Sequence, residues 1–374
     1  MMNSLLQSLL EICEETGASD VHLAVGMPPR FRIRGELVER GDYRAFDSTA
    51  VDAVAMDLGL VTLPVGCPDG TERVRMRLLD EGSIDGAVEG ASGTRYRFNI
   101  YRESGRHAVA LRRLDGRFRP FAELGLPKRL EKFCDEPDGL VVVTGPTGSG
   151  KTTTLATMMD RINTDRAGHI ITIEDPIEFV HKSKKCLVHQ RQVGRDTRSF
   201  NDALVEALRQ DPDVILVGEV RDLATVRTAL RAAETGHLVF TTLHAGDAPG
   251  AIERLMSMFP PEEQTGARRQ LAMALRGVLA QHLIPSPDRK TRHPACELLV
   301  NTMAAANLIA TGRSAQLYSV IETGTSFGMR TLDQSLAELL SAGLAADRDA
   351  LALSRNPAAL RGRLNLAPKS GGAQ

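Results

Sequence analysis

Leu140-Val141-Val142-Val143-Thr144 runs directly into Gly145-Pro146-Thr147-Gly148-Ser149-Gly150-Lys151-Thr152. An apolar run before the glycine-rich turn and a helical pattern after it form the context that a G-x-x-x-x-G-K-[ST] phosphate loop requires. Gly148 and Gly150 allow backbone angles and a closeness of approach that a side chain would block. Backbone N–H groups then converge at a helix start, whose positive end favours phosphate. In such a loop Lys151 reaches the β- and γ-phosphates and the Thr152 hydroxyl binds Mg²⁺; Thr153 completes the cradle. Leu155, Met158, Met159 and Ile162 recur at helical spacing behind it.

Working outward, buried strands are expected at 140–144, 169–173, 213–217 and 238–243, and helices at 152–163, 200–209, 222–233, 251–258 and 267–282. This alternation predicts an α/β fold with a mainly parallel sheet. From about 297 onward the pattern is helical, ending in a polar tail from Pro368 to Gln374. Before the loop the sequence predicts a small α+β domain. It has helices over 1–13 and 48–60, short strands at Val21-His22-Leu23 and Phe31 to Gly35, and a hairpin of Arg95–Tyr101 with Ala108–Arg112. The Gly-, Pro- and Asp-rich stretch from Leu63 to Gly93 shows weak strand alternation over Val74–Leu78. The expected domains are 1–114, a linker at 115–122 where both periods break, and 123–374.

Composition narrows the function classes. The 374-residue chain has 42% hydrophobic residues, 25% charged residues and a net charge of −1, so the whole molecule has no electrostatic call on nucleic acid. Tryptophan is absent and aromatics are 4%, which leaves little for base stacking. No apolar run reaches membrane-span length and no secretory signal is expected. Five isolated cysteines without CxxC support neither a disulfide framework nor a four-cysteine zinc site, and fit a reducing, cytoplasmic compartment.

Two further strands carry acids at their carboxyl ends, the edge where open α/β sheets bind ligands. Ile170-Ile171-Thr172-Ile173 leads to Glu174 and Asp175, and Val214–Val217 leads to Gly218 and Glu219. A carboxylate there either caps an exposed strand end or holds Mg²⁺ and orients water. His244 ends a third apolar strand at the same edge and is either structural or a sensor of the γ-phosphate. The hairpin arginines, Arg97 and Arg112 among them, read first as a solvated edge and second as arginine fingers.

These residues resemble a family. Gly17-Ala18-Ser19-Asp20-Val21-His22-Leu23, the phosphate loop, Thr172 to His181, Gln190 to Thr197, Leu208 to Asp222, Ala233 to Leu238 and Gly328 to Gln334 look like the type IV pilus retraction ATPases of the secretion-ATPase superfamily. The resemblance implies a PAS-like N-terminal domain, a RecA-like ATPase domain with C-terminal helices, and a homohexameric motor that hydrolyses ATP with Mg²⁺. Such a motor works in the cytoplasm, meets the membrane only through an inner-membrane platform protein, and binds no nucleic acid directly. It further implies Glu174 as catalytic base, Glu219 as the acid of an unusual Walker B, Thr235 to His244 as the His box, and Arg97 and Arg112 as arginines donated towards nucleotide. Three stretches depart from the family. Ala304-Ala305-Ala306-Asn307-Leu308-Ile309-Ala310-Thr311 lacks two arginines and an acid usual there, residues 61–93 are longer and richer in glycine, and Ser354 to Leu360 resembles the accessory retraction paralogue. Two other classes stay open on sequence alone, a RecA-like DNA translocase and a nucleotide-gated regulatory ring.

Overall fold

A computed structural model describes residues 4–40, 43–64, 66–114 and 116–366. The expected polar tail after Pro368 lies outside the described residues. The chain forms two compact units, one of Met1–Arg117 with Glu174–His181 and Gln190–Ser199, the other of Phe118–Ile173, Lys182–His189 and Phe200–Gln374. The change of unit between 117 and 118 falls inside the 115–122 stretch, while two excursions of the later chain join the first unit.

The first unit holds α1 (Ser4–Glu15), β1 (Asp20–Ala24), β2 (Arg30–Ile33), β3 (Glu36–Glu39), α2 (Ser48–Val61), α3 (Gly70–Glu81), β4 (Ser83–Glu89), β5 (Arg95–Glu103) and β6 (Arg106–Arg113). Its six strands order as β3-β2-β1-β6-β5-β4, with every neighbouring pair antiparallel. Leu6, Leu9, Leu10 and Cys13 turn one face of α1 into a core with Phe31, Tyr96 and Phe98. The expected strand over Val74–Leu78 is a helix instead. Val74 and Leu78 are buried while Met76 is 48% exposed, so the apolar face repeats every fourth residue, not every second. Strand β4 was not expected. Its Gly86 is where the Phe98 ring packs, since a Cβ there would lie 2.4 Å from Phe98 Cζ.

The second unit begins with α4 (Phe121–Leu124) and α5 (Arg129–Cys134), then alternates β7 (Gly139–Thr144), α6 (Lys151–Asp165), β8 (His169–Glu174), β9 (Leu187–Gln192), α7 (Phe200–Ala207), β10 (Val214–Val217), α8 (Leu223–Glu234) and β11 (Leu238–Leu243). After α9 (Ala248–Ser257) and α10 (Gln264–Ala274) come β12 (Leu275–Pro285) and β13 (Arg292–Val300). Helices α11 (Met303–Ala310), α12 (Leu317–Thr323), α13 (Leu332–Ser341), α14 (Asp347–Leu353) and α15 (Pro357–Leu366) close the described chain. The seven strands order as β13-β12-β7-β11-β10-β8-β9. From β12 to β8 neighbours are parallel, and β13 is antiparallel to β12. Asp222 caps α8 as expected, accepting from Thr225 N, and Gly236 follows with φ 98°.

The expected helix over 267–282 stops at Ala274. Gly277 to Gln281, soon after it, are a fully buried run, in which periodicity does not separate helix from strand. Val278, Leu279 and Ala280 are all buried. Gly277 passes so close to Phe133 that a Cβ would lie 2.2 Å from the ring. The chain is likewise strand, not helix, from 297 to Val300.

Candidate nucleotide site

Strand β7 is buried along its whole length and delivers the chain to Gly145. Gly145, Gly148 and Gly150 have φ of 145°, 77° and 90°, so the turn uses three backbone conformations that L side chains rarely adopt. A Cβ at Gly145 would also sit 2.2 Å from the carbonyl oxygen of Gln281. Gly150 ends the turn and α6 starts at Lys151.

Lys151 Nζ folds back onto the loop, donating to Gly145 O at 2.9 Å and Pro146 O at 3.0 Å. Burial lowers its pKa, opposed by the charge of Glu219. The ammonium therefore rests on neutral carbonyls in a partly desolvated place. The Ser149 hydroxyl is buried and has no hydrogen-bond partner among the described residues. A buried unpaired hydroxyl, an ammonium held only by carbonyls, and a glycine cradle are the donor set a polyphosphate needs.

Register places the other expected residues at the same edge. Thr144 pairs with Leu243, so His244 follows level with Gly145; Val217 pairs with Thr241, and Glu219 lies just beyond. Ala245 N donates to Thr144 Oγ1 at 2.8 Å, tying the His244 loop to the residue before the phosphate loop. The Glu219 side chain is 15% exposed, ion-paired with Arg221, and 3.5 Å from His244 Nε2. Thr242 Oγ1 donates to Gly218 O at 2.5 Å and fixes the end of β10. Thr152, Glu219, His244 and Lys151 are thus held on the ends of β7, β10 and β11 and the start of α6. Glu174 ends β8, one residue beyond Ile173, the register partner of Val217. Its carboxylate is buried and accepts from Gln190 Nε2 at 3.1 Å.

In the first unit Arg97 and Arg112 are cross-strand partners, and Arg112 is in turn opposite Asp20, which is opposite Arg32. One row across the sheet therefore reads Arg32, Asp20, Arg112, Arg97. Arg112 Nε donates to Asp20 Oδ1 at 2.8 Å. Burial pushes the Asp20 carboxyl up, but hydrogen bonds from Arg112 and Ser19 outweigh it and hold it below its ordinary value. Arg97 is half-exposed, 3.6 Å from Glu178 and 3.9 Å from Asp85. Sequence reasoning missed Gln281, Thr144, Arg221 and Glu178. Thr144, Arg221 and Glu178 carried a visible signal, since each lies inside a quoted stretch; Gln281 was hidden in the expected helix.

The type II/IV secretion system protein family matches residues 2–324. The type IV pilus retraction ATPase PilT of Pseudomonas aeruginosa is 42% identical over 352 residues, covering 94% of this chain and 98% of that protein. The type IV pilus ATPase PilU of the same organism is 35% identical over 364 residues, covering 97% and 92%. The crystal structure of the pilus retraction motor PilT with bound ADP superposes with a TM-score of 0.82 at 40% identity, covering 96% of this chain and 99% of that one. A phosphate loop with its donors in place and a fold shared along nearly the whole chain lead to one conclusion: the chain belongs to the type II/IV secretion system protein family and is one of its ATPases.

Proposed function

We propose that this chain is the ATP-hydrolysing subunit of a homohexameric motor that drives type IV pilus retraction, as principal or accessory motor. The observation that carries the reading is the phosphate loop, with Lys151 on its own carbonyls and the Ser149 hydroxyl unpaired. Gly145 to Thr153 cradle the phosphates, and Lys151 leaves its carbonyls for the β- and γ-oxygens. Glu174 accepts the proton of the attacking water, with Gln190 holding one carboxylate oxygen in place. Glu219 would help hold the metal at this edge, and His244 at 3.5 Å from it responds to the γ-phosphate. Arg97 and Arg112 of a neighbouring chain stabilise transition-state charge.

Mg²⁺ would supply neutralisation of charge on the β- and γ-oxygens. Thr152 and Glu219 would hold it, most of its ligands being phosphate and water. Among the described residues no group of three or more His, Cys, Asp or Glu is placed to hold a metal alone, which suits that arrangement. No helix among the described residues is long and apolar enough to cross a membrane. The proposed motor works in the cytoplasm and reaches the membrane through an inner-membrane platform protein, without contacting nucleic acid. The domain division 1–114, 115–122 and 123–374 remains the proposed one for its moving parts. The altered stretch 304–311 falls on α11, where Ala305 and Ala306 are followed by Ala310. The missing arginines there set full retraction activity in question, and the likeness of Ser354 to Leu360 to the accessory paralogue makes an accessory role the second reading.

A deletion strain scored for surface pili and surface motility tests the function. Accumulated pili and lost motility, both restored by the wild-type gene and not by Glu174→Gln, are expected for a principal motor. Retraction that fails only under load marks an accessory one. Unchanged pili and motility would contradict both.

A further inference from the structure

The strand next to β7 reaches into the phosphate loop. In the pairing of β12 with β7, Ala280 is opposite Thr144, so Gln281 comes level with Gly145. Gln281 is 3% exposed. Its Nε2 donates to Ser149 O at 2.7 Å, and its Oε1 accepts from Thr154 Oγ1 at 2.7 Å. The amide can take only this orientation, because a carbonyl oxygen such as Ser149 O accepts and never donates. Gln281 Nε2 would also lie 2.8 Å from a Cβ at Gly150.

From this geometry we propose that Gln281 is a positioning residue of the phosphate loop, stapling Ser149 to Thr154 and thereby setting the loop's affinity for nucleotide. The inference rests on the ATP reading above. Gly150, Lys151, Thr152 and Thr153 lie between the two anchor points. Gly150 holds φ 90° at the point where the turn becomes helix. Releasing either anchor lets that angle relax and re-aims both the Lys151 ammonium and the N–H groups at the start of α6. The staple touches no phosphate itself; it acts through the residues it spans. Its second function is to satisfy two groups that would otherwise be buried unpaired. A purely structural role and a positioning role therefore separate once the stranded hydroxyl is removed.

The test uses the full chain, a fluorescent ATP analogue with Mg²⁺ for affinity, and thermal melting without nucleotide for stability. Gln281→Leu is expected to weaken analogue binding about tenfold, the scale of losing a buried hydrogen bond, and to lower the melting temperature. In Gln281→Leu with Thr154→Val the stranded hydroxyl is gone as well, so the melting temperature recovers in part. Affinity stays weak, because Ser149 O still lacks its donor. Affinity returning together with the melting temperature would make the role structural and overturn the proposal. So would Gln281→Leu binding within twofold of wild type. Should Gln281→Leu fail to fold, Thr154→Val alone carries the test: at least threefold weaker binding supports the staple, and unchanged binding overturns it. A folded wild-type chain that does not bind the analogue would instead refute the ATP reading, and the staple with it.

Discussion

Lys151 and Arg112 are both cations that the sequence marks for phosphate, and the structure treats them differently. Lys151 lies against two neutral carbonyls. Arg112 is bonded to Asp20, a buried carboxylate that is itself held in its charged form. A lysine on carbonyls loses little when a phosphate arrives. An arginine on a carboxylate must give up an ion pair or share it, and the carboxylate it leaves is then buried with less compensation. Arg97 lies between these cases, half-exposed and at 3.6 Å and 3.9 Å from two acids. The comparison teaches that the phosphate loop is built for nucleotide from within its own chain. The arginine row is built first to hold its sheet, and any catalytic duty comes on top.

The largest effect is expected at the loop. Lys151→Ala removes nucleotide binding, so the stabilisation of about 2.7 kcal/mol that a saturating ligand at 100 times Kd gives the wild type disappears. Melting with and without ATP checks this, and the far-ultraviolet circular dichroism should not change. Next comes Glu174→Gln, which keeps binding and slows turnover about 10²- to 10⁴-fold, because an amide cannot accept the water's proton. Near wild-type turnover at saturating ATP would break that assignment.

Arg97→Ala should slow turnover by up to about 10³-fold with nucleotide still bound. Arg112→Ala should do the same and also cost stability, because Asp20 loses the guanidinium bonded to its Oδ1 and keeps only Ser19 and Arg32. If both are silent in turnover and only Arg112→Ala lowers the melting temperature, the row is a scaffold alone. The smallest effect concerns acid. The Asp20 pKa is lowered in the folded chain, so its contribution to stability is fully present above the ordinary aspartate pKa and is lost as pH falls through the lower folded value. Asp20→Asn should therefore cost about 1 kcal/mol near neutral pH, measured by urea denaturation, and the difference should shrink below about pH 4.

How much of this was legible in the sequence depended on whether local pattern and tertiary place agreed. The phosphate loop was readable because its glycines, lysine and flanking strand and helix are fixed by one local requirement. Asp222 was readable as a cap for the same reason. α3 was misread because Arg75, Met76 and Arg77 mimic a strand's alternation over a few residues, while Val74 and Leu78 alone decide the face. β12 was misread because a run buried on both faces has no period to read. That error concealed Gln281, whose role appears only when β12 is placed beside β7. The pairing of Glu219 with His244 was half legible, since each ends a strand but the strand order is not written in either.

The central claim is that an active site joins the phosphate loop of one chain to an arginine of another. The most direct measurement is the ATPase rate of rings mixed from Lys151→Ala and Arg97→Ala chains, against each pure variant. Restored activity in the mixture is the expected result, because sites then form where an intact loop meets an intact arginine. A mixture no faster than the pure variants, with Arg97→Ala slow on its own, would contradict the claim.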